Sequence, residues 1–375
     1  MTSLAILFWV SAGLIVYAHA GYAALLAVLV RLRRRERPGG PAAAEAPTAS
    51  VIVAAYAEET GIAQRVRNLR ELDYPRAVEV IVACDGSPDA TAARAREAGA
   101  DVVLELPRGG KIRAQDAAVQ RASGAVVAFS DANVSWERGA LRRLVGPFSD
   151  PRVGYVCGDV RFVNDAGTNQ EGLYWRYEMT LRSLESRLRS VTGGNGAIYA
   201  TRRDAYVVVD PVMGHDLSFP FNMVKRGWLA VYEPSARATE KMVPTIGGEF
   251  ARKRRMMSHA WPIVLRGGML SPRGYDPLYA LMIVSHRVLR YATPFLHLVA
   301  LATTIALLGH GWVYTVALAV QVAILAGALL AGAVPARPLL LARYYVLTTA
   351  SLAAGLWDWL RRGTSAGWEP AEGTR

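Results

Sequence analysis

The sequence predicts an α/β domain that lies between α-helical transmembrane segments. Two observations support this prediction. Short apolar runs alternate with helical patterns between residues 49 and 131, which is typical of a mostly parallel sheet with helices on both faces. Long apolar runs lie near both ends of the chain, and the whole chain is 52% hydrophobic but only 20% charged. A soluble enzyme is less apolar than this, and a protein embedded throughout in a membrane is less charged.

The first long apolar run, Leu4–Val30, contains His19 as its only ionisable side chain. At about 1.5 Å per residue it is long enough to cross a hydrocarbon core of about 30 Å. Basic residues follow it at once and favour a cytoplasmic location for this end; they are Arg31, Arg33, Arg34, Arg35 and Arg37. We therefore expect a transmembrane anchor at residues 1–35. A cleaved signal peptide is the alternative, because Ala18-His19-Ala20 resembles a cleavage site.

Residues 36–48 are rich in Pro, Ala and Gly and predict a linker. The α/β domain then occupies residues 49–246. Its apolar runs predict strands at 50–55, 78–85, 101–106 and 125–131. Helical spacing predicts helices at 58–74, from residue 89, and at 111–122. The second half is less regular, with a long helix at 170–190 and candidate strands at 196–202 and 229–232.

Beyond the α/β domain the chain becomes amphipathic and then apolar. Glu249–Arg266 combines basic and large apolar side chains, as in a helix at a membrane surface, and we assign residues 247–290 to interfacial helices. A transmembrane region is expected at 291–362, with apolar runs at 294–308, 312–334 and 339–360. The third run contains Arg343 and either crosses the membrane or lies in its interface. Two crossings place the C-terminus in the cytoplasm, and three place it outside.

The net charge of +12 raises the question of nucleic-acid binding. Much of this charge lies beside the membrane segments or near residue 252, where anionic lipids and a diphosphate substrate account for it. We therefore expect membrane lipids, and no nucleic acid, as partners. Cys84 and Cys157 are the only cysteines and form no C-x-x-C pair. This pattern predicts a reducing, cytoplasmic location without a zinc site.

Two carboxylates directly follow apolar runs, since Asp85 ends the second predicted strand and Asp131 ends the fourth. Ligands of open α/β sheets bind beyond the carboxyl ends of the strands, although an Asp in this position also begins turns. Asp131 and Asn133 place a carboxylate and an amide oxygen two residues apart. Hard cations such as Mg²⁺ take oxygen ligands and bridge substrate phosphates. Asp131 and Asn133 are therefore the predicted metal ligands.

Asp216 follows His215 and is the candidate general base, a carboxylate that removes a proton from an acceptor hydroxyl. The structural alternative for Asp216 is a helix N-cap, and the two roles are compatible.

Four consecutive cations begin at Arg252. They form either a membrane-surface patch or a phosphate site, because helical spacing places Arg252 and Arg255 on one face with Met256 beside them. An arginine pair holds a diphosphate and stabilises its developing charge. Lys111, which follows two glycines at a predicted helix start, is a second phosphate ligand.

Several short motifs follow one another along the chain. They are VIVAAYAEE at 51–59, ACDGS at 83–87, GGKIRAQDAAVQRASG at 109–124, FSDAN at 129–133, GGNGAIYA at 193–200, GHDLSFPFNMVKRGWLAVYEPSARATE at 214–240, EFARKRRM at 249–256 and SHRVLRYATPFL at 285–296. In this order they resemble the membrane-bound family 2 glycosyltransferases, which include cellulose-, hyaluronan- and poly-N-acetylglucosamine-synthase-like enzymes. The resemblance covers roughly residues 48–300.

The resemblance implies a GT-A (Rossmann-like) fold and an inverting, single-displacement sugar transfer from a nucleotide-diphosphate donor, with Mg²⁺ or Mn²⁺ as cofactor. The implied donor-binding residues are Asp85 at the base, Asp131 with Asn133 at the metal and diphosphate, Lys111, Arg252 and Arg255. The implied acceptor-side residues are Gly193, Gly194, Asn195, His215 and Met256, with Asp216 as the catalytic base. Met256 stands where the processive synthases carry a tryptophan that holds the growing chain, so processivity stays open.

The predicted function is sugar transfer from a nucleotide sugar, a UDP-sugar foremost, to a glycan or lipid-linked acceptor. We expect it at the cytoplasmic face of the bacterial inner membrane, in cell-envelope or extracellular polysaccharide synthesis. Envelope-polysaccharide assembly proteins are the expected protein partners. Two alternatives stay open. One is a non-processive enzyme that adds a single sugar to a polyprenyl-linked acceptor, and the other is a nucleotide-binding membrane scaffold with a degraded site.

Overall fold

The computed structural model describes residues 1–32, 46–163, 171–241 and 246–367. Two predicted features lie outside these ranges. They are the basic residues from 33 to 37 and the part of the expected linker at 36–45.

The N-terminal apolar run forms one continuous helical rod. It consists of α1 (Thr2–Val16), a π-helical turn (Tyr17–Gly21) and α2 (Tyr22–Leu32). The rod continues through the Ala-His-Ala sequence that resembles a cleavage site. Beyond that point Tyr22, Leu26 and Val30 recur every four residues and are buried in one apolar cluster with Leu181 and Leu188. The second half of the rod is therefore packed against the α/β domain.

The strands of the domain are β1 (Ala49–Ala55), β2 (Val78–Asp85), β3 (Val102–Leu106), β4 (Val126–Asp131), β5 (Val134–Trp136), β6 (Val153–Val163), β7 (Tyr199–Arg202) and β8 (Leu229–Lys241). Among the described residues they form one sheet in the order β3-β2-β1-β4-β7-β6-β8-β5. The first four pair in parallel, as predicted, whereas β7 runs antiparallel to both of its neighbours. The sheet is mixed in its second half.

The parallel register brings two predicted site residues to one edge of the sheet. Ala54 of β1 pairs with Asp131, and Ala55 pairs with Cys84, which precedes Asp85. The two aspartates are therefore separated by β1 alone, at the carboxyl ends of parallel strands. Every residue of β1 is buried, because helices cover both faces of the sheet at this point.

The sequence pattern does not predict β6, and it ends β8 at residue 232 instead of Lys241. Glycine and proline account for both differences, because they usually mark the ends of strands. The pairing of β6 with β8 is irregular beside Gly154 and at Gly158, where a Cβ would collide with the carbonyl oxygen of Ala236. Pro234 lies in the same irregular stretch of β8. Pairing of the two strands resumes beyond these residues, from Asp159 with Arg237 to Val163 with Lys241.

The helices of the domain are α3 (Ile62–Arg70), α4 (Thr91–Glu97), α5 (Lys111–Arg121), α6 (Ala140–Val145), α7 (Glu171–Leu188) and α8 (His215–Lys225). They are followed by α9 (Ile246–Leu265), α10 (Pro277–Ile283), α11 (Leu289–Ala306), α12 (Trp312–Leu330) and α13 (Arg337–Arg362). A π-helical turn joins α10 to α11. Four helical stretches of the described residues are long and apolar enough to cross a membrane, namely Thr2–Leu32, Pro277–Ala306, Trp312–Leu330 and Arg337–Arg362.

α13 packs along the amphipathic helix α9. Arg254 of α9 makes a bidentate ion pair with Asp358, with N–O distances of 2.6 and 2.7 Å. Nε1 of Trp261 donates a hydrogen bond to the carbonyl of Leu352 at 2.9 Å. Between these contacts Gly355 allows the two backbones to approach closely. The third apolar run of the C-terminal region is therefore fixed to the interfacial helix.

The chain returns to the sheet after α13. Thr364 donates a hydrogen bond to the carbonyl of Ser258 in α9 at 2.7 Å. Two residues later, the carbonyl of Ala366 lies against Gly110, at the start of α5. The end of α13 is thus on the same side of the molecule as the carboxyl ends of the parallel strands.

Gly355→Leu is expected to lower the thermal unfolding midpoint of the detergent-purified protein by a few degrees. A Cβ at this position would lie 2.5 Å from Cβ of Met257 and 2.9 Å from the carbonyl of Arg254, and overpacking of this kind costs about 1–3 kcal/mol. Ala350→Leu is the matched control, because Ala350 is an exposed residue of the same helix. Equal midpoints for the two variants would contradict the packing of α13 on α9.

Candidate functional site

A cavity of about 850 Å³ lies between the carboxyl edge of the sheet and the helices of the membrane region. It is lined by nearly all of the predicted site residues, namely Lys111, Asp131, Asn133, Gly193, Gly194, Asn195, His215, Asp216, Arg252, Arg255 and Met256. Asp85 is the exception. The fold therefore brings residues from both halves of the chain to one site.

Asp131, at the end of β4, forms an ion pair with Lys111, the first residue of α5. Gly196 lies opposite this pair, where a Cβ would be 3.2 Å from Nζ of Lys111 and 3.8 Å from Oδ2 of Asp131. The glycine keeps the space beside the pair open. The first N–H groups of a helix lack partners within the helix and favour anions. A cation, a carboxylate and a helix start therefore meet at a place suited to a diphosphate.

Glu240 is a site residue that the sequence analysis misses. It lies near the end of β8, opposite Val134 of β5, and it lines the cavity. Its Oε1 accepts a hydrogen bond from Nδ2 of Asn133 at 3.4 Å. Burial, together with the charge of Asp131, raises the pKa of Glu240 to about 7. In the sequence, Glu240 is the final residue of the motif at 214–240. It lies beyond residue 232, where the predicted strand ends.

The described residues contain no cluster of three or more His, Cys, Asp or Glu side chains arranged for a metal ion. The oxygen atoms near Asp131 nevertheless fit a hard cation that also binds substrate phosphates, which needs only one or two protein carboxylates. Asn133 uses its Nδ2 toward Glu240, so its amide oxygen is available as a ligand. Glu240 is therefore a third oxygen-bearing side chain beside the predicted metal ligands Asp131 and Asn133.

Asp216 lies in the first turn of α8, where Gly214 is the N-cap. The alternative prediction that Asp216 itself is the N-cap is therefore wrong. A Cβ at Gly214 would lie 2.6 Å from Oδ1 of Asp216, so the glycine makes room for the carboxylate. The backbone carbonyl of Asp216 accepts a hydrogen bond from N–H of Gly194 at 2.6 Å. This bond fixes the candidate base relative to the loop at 193–195.

Hydrogen bonds of the Asn195 side chain and of the Gly194 backbone hold the loop at 193–195. Nδ2 of Asn195 donates to the carbonyl of Gly158 at 2.7 Å, and its Oδ1 accepts from N–H of Ala197 and Ile198. Arg182 donates to the carbonyl of Gly194 at 2.8 Å. The Asn195 amide is thus committed to the fold, where it positions the loop, and the acceptor-side location of this loop stays a prediction.

The carboxylate of Asp85 is buried and holds the loop that precedes α5. It accepts hydrogen bonds from N–H of Gly109 at 2.6 Å and of Gly110 at 3.0 Å, and it pairs with Arg108 at 3.0 Å. Arg108 also lies over the ring of Tyr56, 3.3 Å from its centroid. Contact of Asp85 with the nucleotide base stays a prediction. In the structure its carboxylate positions the loop that carries Lys111.

The ring of His215 is buried in an aromatic cluster and stacks on Phe219, with 3.8 Å between centroids. Its Nδ1 lies 2.8 Å from the hydroxyl of Tyr199. Burial and the charge of Lys111 hold the pKa of His215 well below its usual range. The ring is therefore neutral near pH 7, and it does not act as a cation beside Asp216.

The basic run of α9 lies largely at the cavity. Arg252 and Arg255 line the cavity with Met256, as the helical spacing predicts, and Lys253 lines it too. Nζ of Lys253 also donates to the hydroxyl of Tyr344 at 2.9 Å, and Arg254 turns away to Asp358 of α13. Binding of phosphate or of a membrane surface by this run stays a prediction.

The cavity continues from Asp216 between the helices of the membrane region. Its distal wall comes from α7, α11 and α13. It includes the aromatic and aliphatic side chains of Tyr174, Tyr177, Tyr291, Leu341, Tyr345 and Leu352, together with the charged side chains of Glu178, Arg182 and Arg290. The hydroxyl of Tyr177 donates to the backbone carbonyl of His19 in the N-terminal rod at 2.7 Å. The wall therefore combines apolar surface with a few charged groups.

Residues 50–208 match the family described as Glycosyl transferase family 2. The chain carries a family 2 glycosyltransferase domain. Glycosyltransferase AglE of Haloferax volcanii is 30% identical over 127 residues, which are 32% of this chain and 42% of that protein. Beta-monoglucosyldiacylglycerol synthase of Synechocystis is 29% identical over 208 residues, or 51% of this chain and 42% of that protein. The chain thus spans less than half the length of both relatives.

A solved structure extends the likeness to nearly the whole chain. It is the mannosyltransferase PcManGT from Pyrobaculum calidifontis, in complex with GDP-Man and Mn²⁺, with a TM-score of 0.72 and 24% sequence identity. The alignment covers 95% of this chain and 99% of that one. The likeness confirms the predicted GT-A fold together with the attached helices.

Asp85→Asn is expected to loosen the loop at 108–110 in the glycosyltransferase domain. A neutral amide accepts fewer hydrogen bonds and cannot pair with Arg108, and an unsatisfied buried group costs about 1–3 kcal/mol. We expect faster hydrogen–deuterium exchange at Gly109 and Gly110, measured by mass spectrometry in detergent. The exposed Asp204→Asn variant is the control. Unchanged exchange in Asp85→Asn would mean that the carboxylate does not hold the loop.

Proposed function

We propose that this protein is an inverting glycosyltransferase that moves a sugar from a nucleoside diphosphate, UDP foremost, to a lipid-linked acceptor. The single observation that supports this function best is the cavity. It joins the ion pair of Lys111 and Asp131 to the carboxylate of Asp216, and it continues between the membrane helices. A donor diphosphate fits the first end, and an acceptor hydroxyl carried on an apolar molecule fits the second.

In the proposed reaction Asp216 takes the proton of the acceptor hydroxyl. The acceptor oxygen forms its bond to the anomeric carbon while the bond from that carbon to the diphosphate oxygen breaks, and the nucleoside diphosphate leaves with the electron pair. Attack from the side opposite the leaving group inverts the configuration. Lys111, Arg252 and Arg255 line the cavity and stabilise the charge that develops on the leaving group.

Asp131, Asn133 and Glu240 are the residues that would hold Mg²⁺ or Mn²⁺. A bound divalent cation neutralises the donor diphosphate and makes it a better leaving group. In the protein without substrate, the ion pair with Asp131 holds the ammonium group of Lys111 at this place. The Mn²⁺ in the complex of PcManGT supports the same requirement for this chain.

The acceptor class follows from the distal wall of the cavity. Aromatic and aliphatic side chains from α7, α11 and α13 form a large part of that wall, next to helices that are apolar enough to enter a membrane. A lipid chain gains free energy by leaving water for such a wall, whereas a free sugar does not. The name of the Synechocystis relative, a diacylglycerol glycoside synthase, supports a lipid acceptor.

Addition of a single sugar is the mode that we favour over chain synthesis. In the described part of the chain, α11 and α12 form a helical hairpin, and α13 lies along α9 instead of completing a ring of helices. The place of the tryptophan that holds a growing chain in processive synthases is taken by Met256, which is 42% exposed. A lipid-linked product is therefore released after one transfer.

The same arrangement supports a topology for the chain in the bacterial inner membrane. The rod at 2–32, the α10–α11 stretch and α12 cross the membrane, and α13 lies in the interface on the side of the glycosyltransferase domain. Three crossings put both the domain and the C-terminal end of α13 in the cytoplasm. The contact between Ala366 and Gly110 supports this side for the C-terminus. The basic residues Arg361 and Arg362 agree with the positive-inside rule.

Asp216→Asn is expected to lower sugar transfer by at least about 100-fold without loss of donor binding, because general-base catalysis contributes about 10²–10⁴-fold. The protein in lipid nanodiscs is incubated with Mn²⁺, membrane lipid extract and a panel of UDP-, GDP- and dTDP-sugars. Nucleoside diphosphate release and radiolabel in the lipid fraction are measured. Donor affinity is measured separately by calorimetry.

The exposed Asp204→Asn variant is the control for the loss of a carboxylate. Transfer by Asp216→Asn at the wild-type rate would refute the assignment of the base. Release of nucleoside diphosphate with no label in lipid, but with label in a water-soluble polymer, would refute the lipid-linked acceptor. Donor binding without turnover of any sugar by the wild type would favour the scaffold instead.

Glu240→Gln is expected to weaken the binding of Mn²⁺ in the presence of nucleoside diphosphate by about 10-fold, the lower end of the range for groups around a metal. The variant keeps an oxygen that accepts the hydrogen bond of Asn133 and loses only the charge. Titration calorimetry with Mn²⁺ at a fixed UDP concentration measures this affinity. Glu97→Gln, at an exposed carboxylate of the same domain, is the control. Equal affinity in both variants would exclude Glu240 from the metal environment.

A further inference from the structure

Three arginines of α7 and of the stretch from α10 to α11 line the cavity, and they differ in their partners. Arg290 forms an ion pair with Glu178, and Arg182 donates to the carbonyl of Gly194 at 2.8 Å. Arg287 forms no direct ion pair with a carboxylate of the described residues, and it is only partly buried. It is therefore a positive charge that a molecule in the cavity can reach.

The direct partners of Arg287 are neutral hydroxyl groups. Its Nε donates to Oγ1 of Thr192 at 3.0 Å, and its guanidinium also bonds to the hydroxyl of Tyr291. Its charge acts on the buried carboxylate of Glu185, but the hydrogen bonds of that carboxylate go to other residues. A guanidinium has five N–H donors in a planar fork. Donors and charge therefore remain for a ligand.

Arg287 also lies beside the proposed base. A Cβ at Gly193 would collide with Nη2 of Arg287, so the guanidinium lies directly against the backbone of this glycine. The next residue, Gly194, donates its N–H to the carbonyl of Asp216 at 2.6 Å. The hydroxyl of Tyr291 interacts with both the guanidinium and the charge of Asp216. An acceptor that reaches Asp216 therefore passes close to Arg287.

Arg287 lies within a stretch that is apolar enough to cross a membrane, Pro277–Ala306. Ionisable side chains in such stretches are rare, and they pair with another charge or mark the path of a substrate. A π-helical turn at Val284–Val288 carries Arg287, and turns of this kind are frequent at functional sites. Because Arg287 has no direct ion pair within the described part of the chain, its position favours contact with a substrate.

The wall of the cavity continues past Arg287 along the membrane helices. Tyr345 of α13 lines the cavity, and its hydroxyl lies 2.6 Å from Nε2 of His297. His297 follows Arg287 by ten residues of helix, or about 15 Å. Where the apolar chain of an acceptor lies along this wall and its hydroxyl reaches Asp216, the group that joins the two parts lies beside Arg287.

We propose that the acceptor lipid carries a phosphate group between its apolar chain and its reacting hydroxyl, and that Arg287 binds this phosphate. The inference rests on the proposed function and narrows its acceptor to lipids with a phosphodiester or diphosphate link. Arginine binds phosphate oxygens through two parallel N–H groups, and such charge-assisted bonds are about twice as strong as neutral ones. A neutral lipid would leave the cation without a counter-charge in a cavity partly shielded from water.

The test offers several acceptor lipids to the protein in one sample. Phosphatidylcholine nanodiscs, whose own head group has no hydroxyl, contain equal amounts of phosphatidylglucose, monoglucosyldiacylglycerol, phosphatidylglycerol and undecaprenyl diphosphate N-acetylglucosamine. The first two share a glucosyl head group and a diacylglycerol, and they differ only in the phosphate. Mn²⁺ and labelled UDP-, GDP- and dTDP-sugars are supplied in turn, and the products are measured by mass spectrometry.

We expect at least about 10-fold more product from the phosphate-bearing lipids than from monoglucosyldiacylglycerol, the lower end for hydrogen bonds to a charged group. The dominant product, a glycerolipid or a polyprenyl lipid, identifies the source of the phosphate. A ratio of products formed in one sample does not depend on the fraction of protein that is folded.

Two variants test the role of Arg287 in this preference. Arg287→Gln removes the charge, and Gly193→Ala displaces the guanidinium but keeps the charge near Glu185. Both should lower the ratio of phosphate-bearing to neutral product at least about 10-fold and leave the affinity for the nucleoside diphosphate unchanged. Gly193→Ala decides the question if Arg287→Gln is too unstable to purify. Arg273→Gln, at an exposed arginine shortly before α10, is the control and should keep the wild-type ratio.

The outcomes separate this inference from the proposed function. A wild-type protein that forms no labelled lipid from any donor would overturn the proposed function and the inference with it. Use of monoglucosyldiacylglycerol as readily as the phosphate-bearing lipids would overturn the inference alone. An unchanged product ratio in Arg287→Gln and Gly193→Ala would exclude Arg287 from acceptor binding. Weaker binding of the nucleoside diphosphate to Arg287→Gln, with that ratio unchanged, would assign Arg287 to the donor instead.

Discussion

The buried carboxylate of Glu185 joins the parts of the molecule whose meeting creates the cavity. It accepts hydrogen bonds from the hydroxyl of Tyr22 in the N-terminal rod at 2.7 Å and from N–H of Thr192 at 2.9 Å. It also lies 2.7 Å from Nδ1 of His286, in the turn between α10 and α11. Thr192 directly precedes the loop at 193–195. One carboxylate therefore fixes an N-terminal helix, a C-terminal helix and the loop at 193–195 relative to each other.

A buried charge stabilises such a junction only while its partners stay in place. Burial alone would raise the pKa of Glu185, and the charges of His286 and Arg287 lower it to about 2. Because this value is below the ordinary 4.5, the ionised carboxylate stabilises the fold above about pH 4.5, and that contribution is lost as the pH falls toward 2. Removal of a partner leaves an uncompensated buried charge. The contacts of Glu185 therefore tie the membrane helices to the domain at this junction.

The sequence predicts those site residues whose signals are local. Asp131 follows an apolar run, and Asp216 lies in the first turn of a helix, so neighbouring residues define both positions. Glu240 has no such local signal, because its place in the site depends on a contact that is distant in the chain. Glu240 reaches Asn133 only through the pairing of β8 with β5. In the same way the first four strands were predictable from alternating patterns, whereas β6 and the end of β8 were not, because glycine and proline interrupt them.

The path of α13 shows why apolar composition alone does not determine how many helices cross the membrane. A helix that buries one face on an amphipathic neighbour needs the same apolar residues as one that faces lipid. In α13, Asp358 pairs with Arg254 of α9, and Leu352 bonds to Trp261. These contacts place the helix over the cavity, where Leu352 also forms part of the wall. The site is therefore built by the junction of the domain with its helices, and neither part alone would form it.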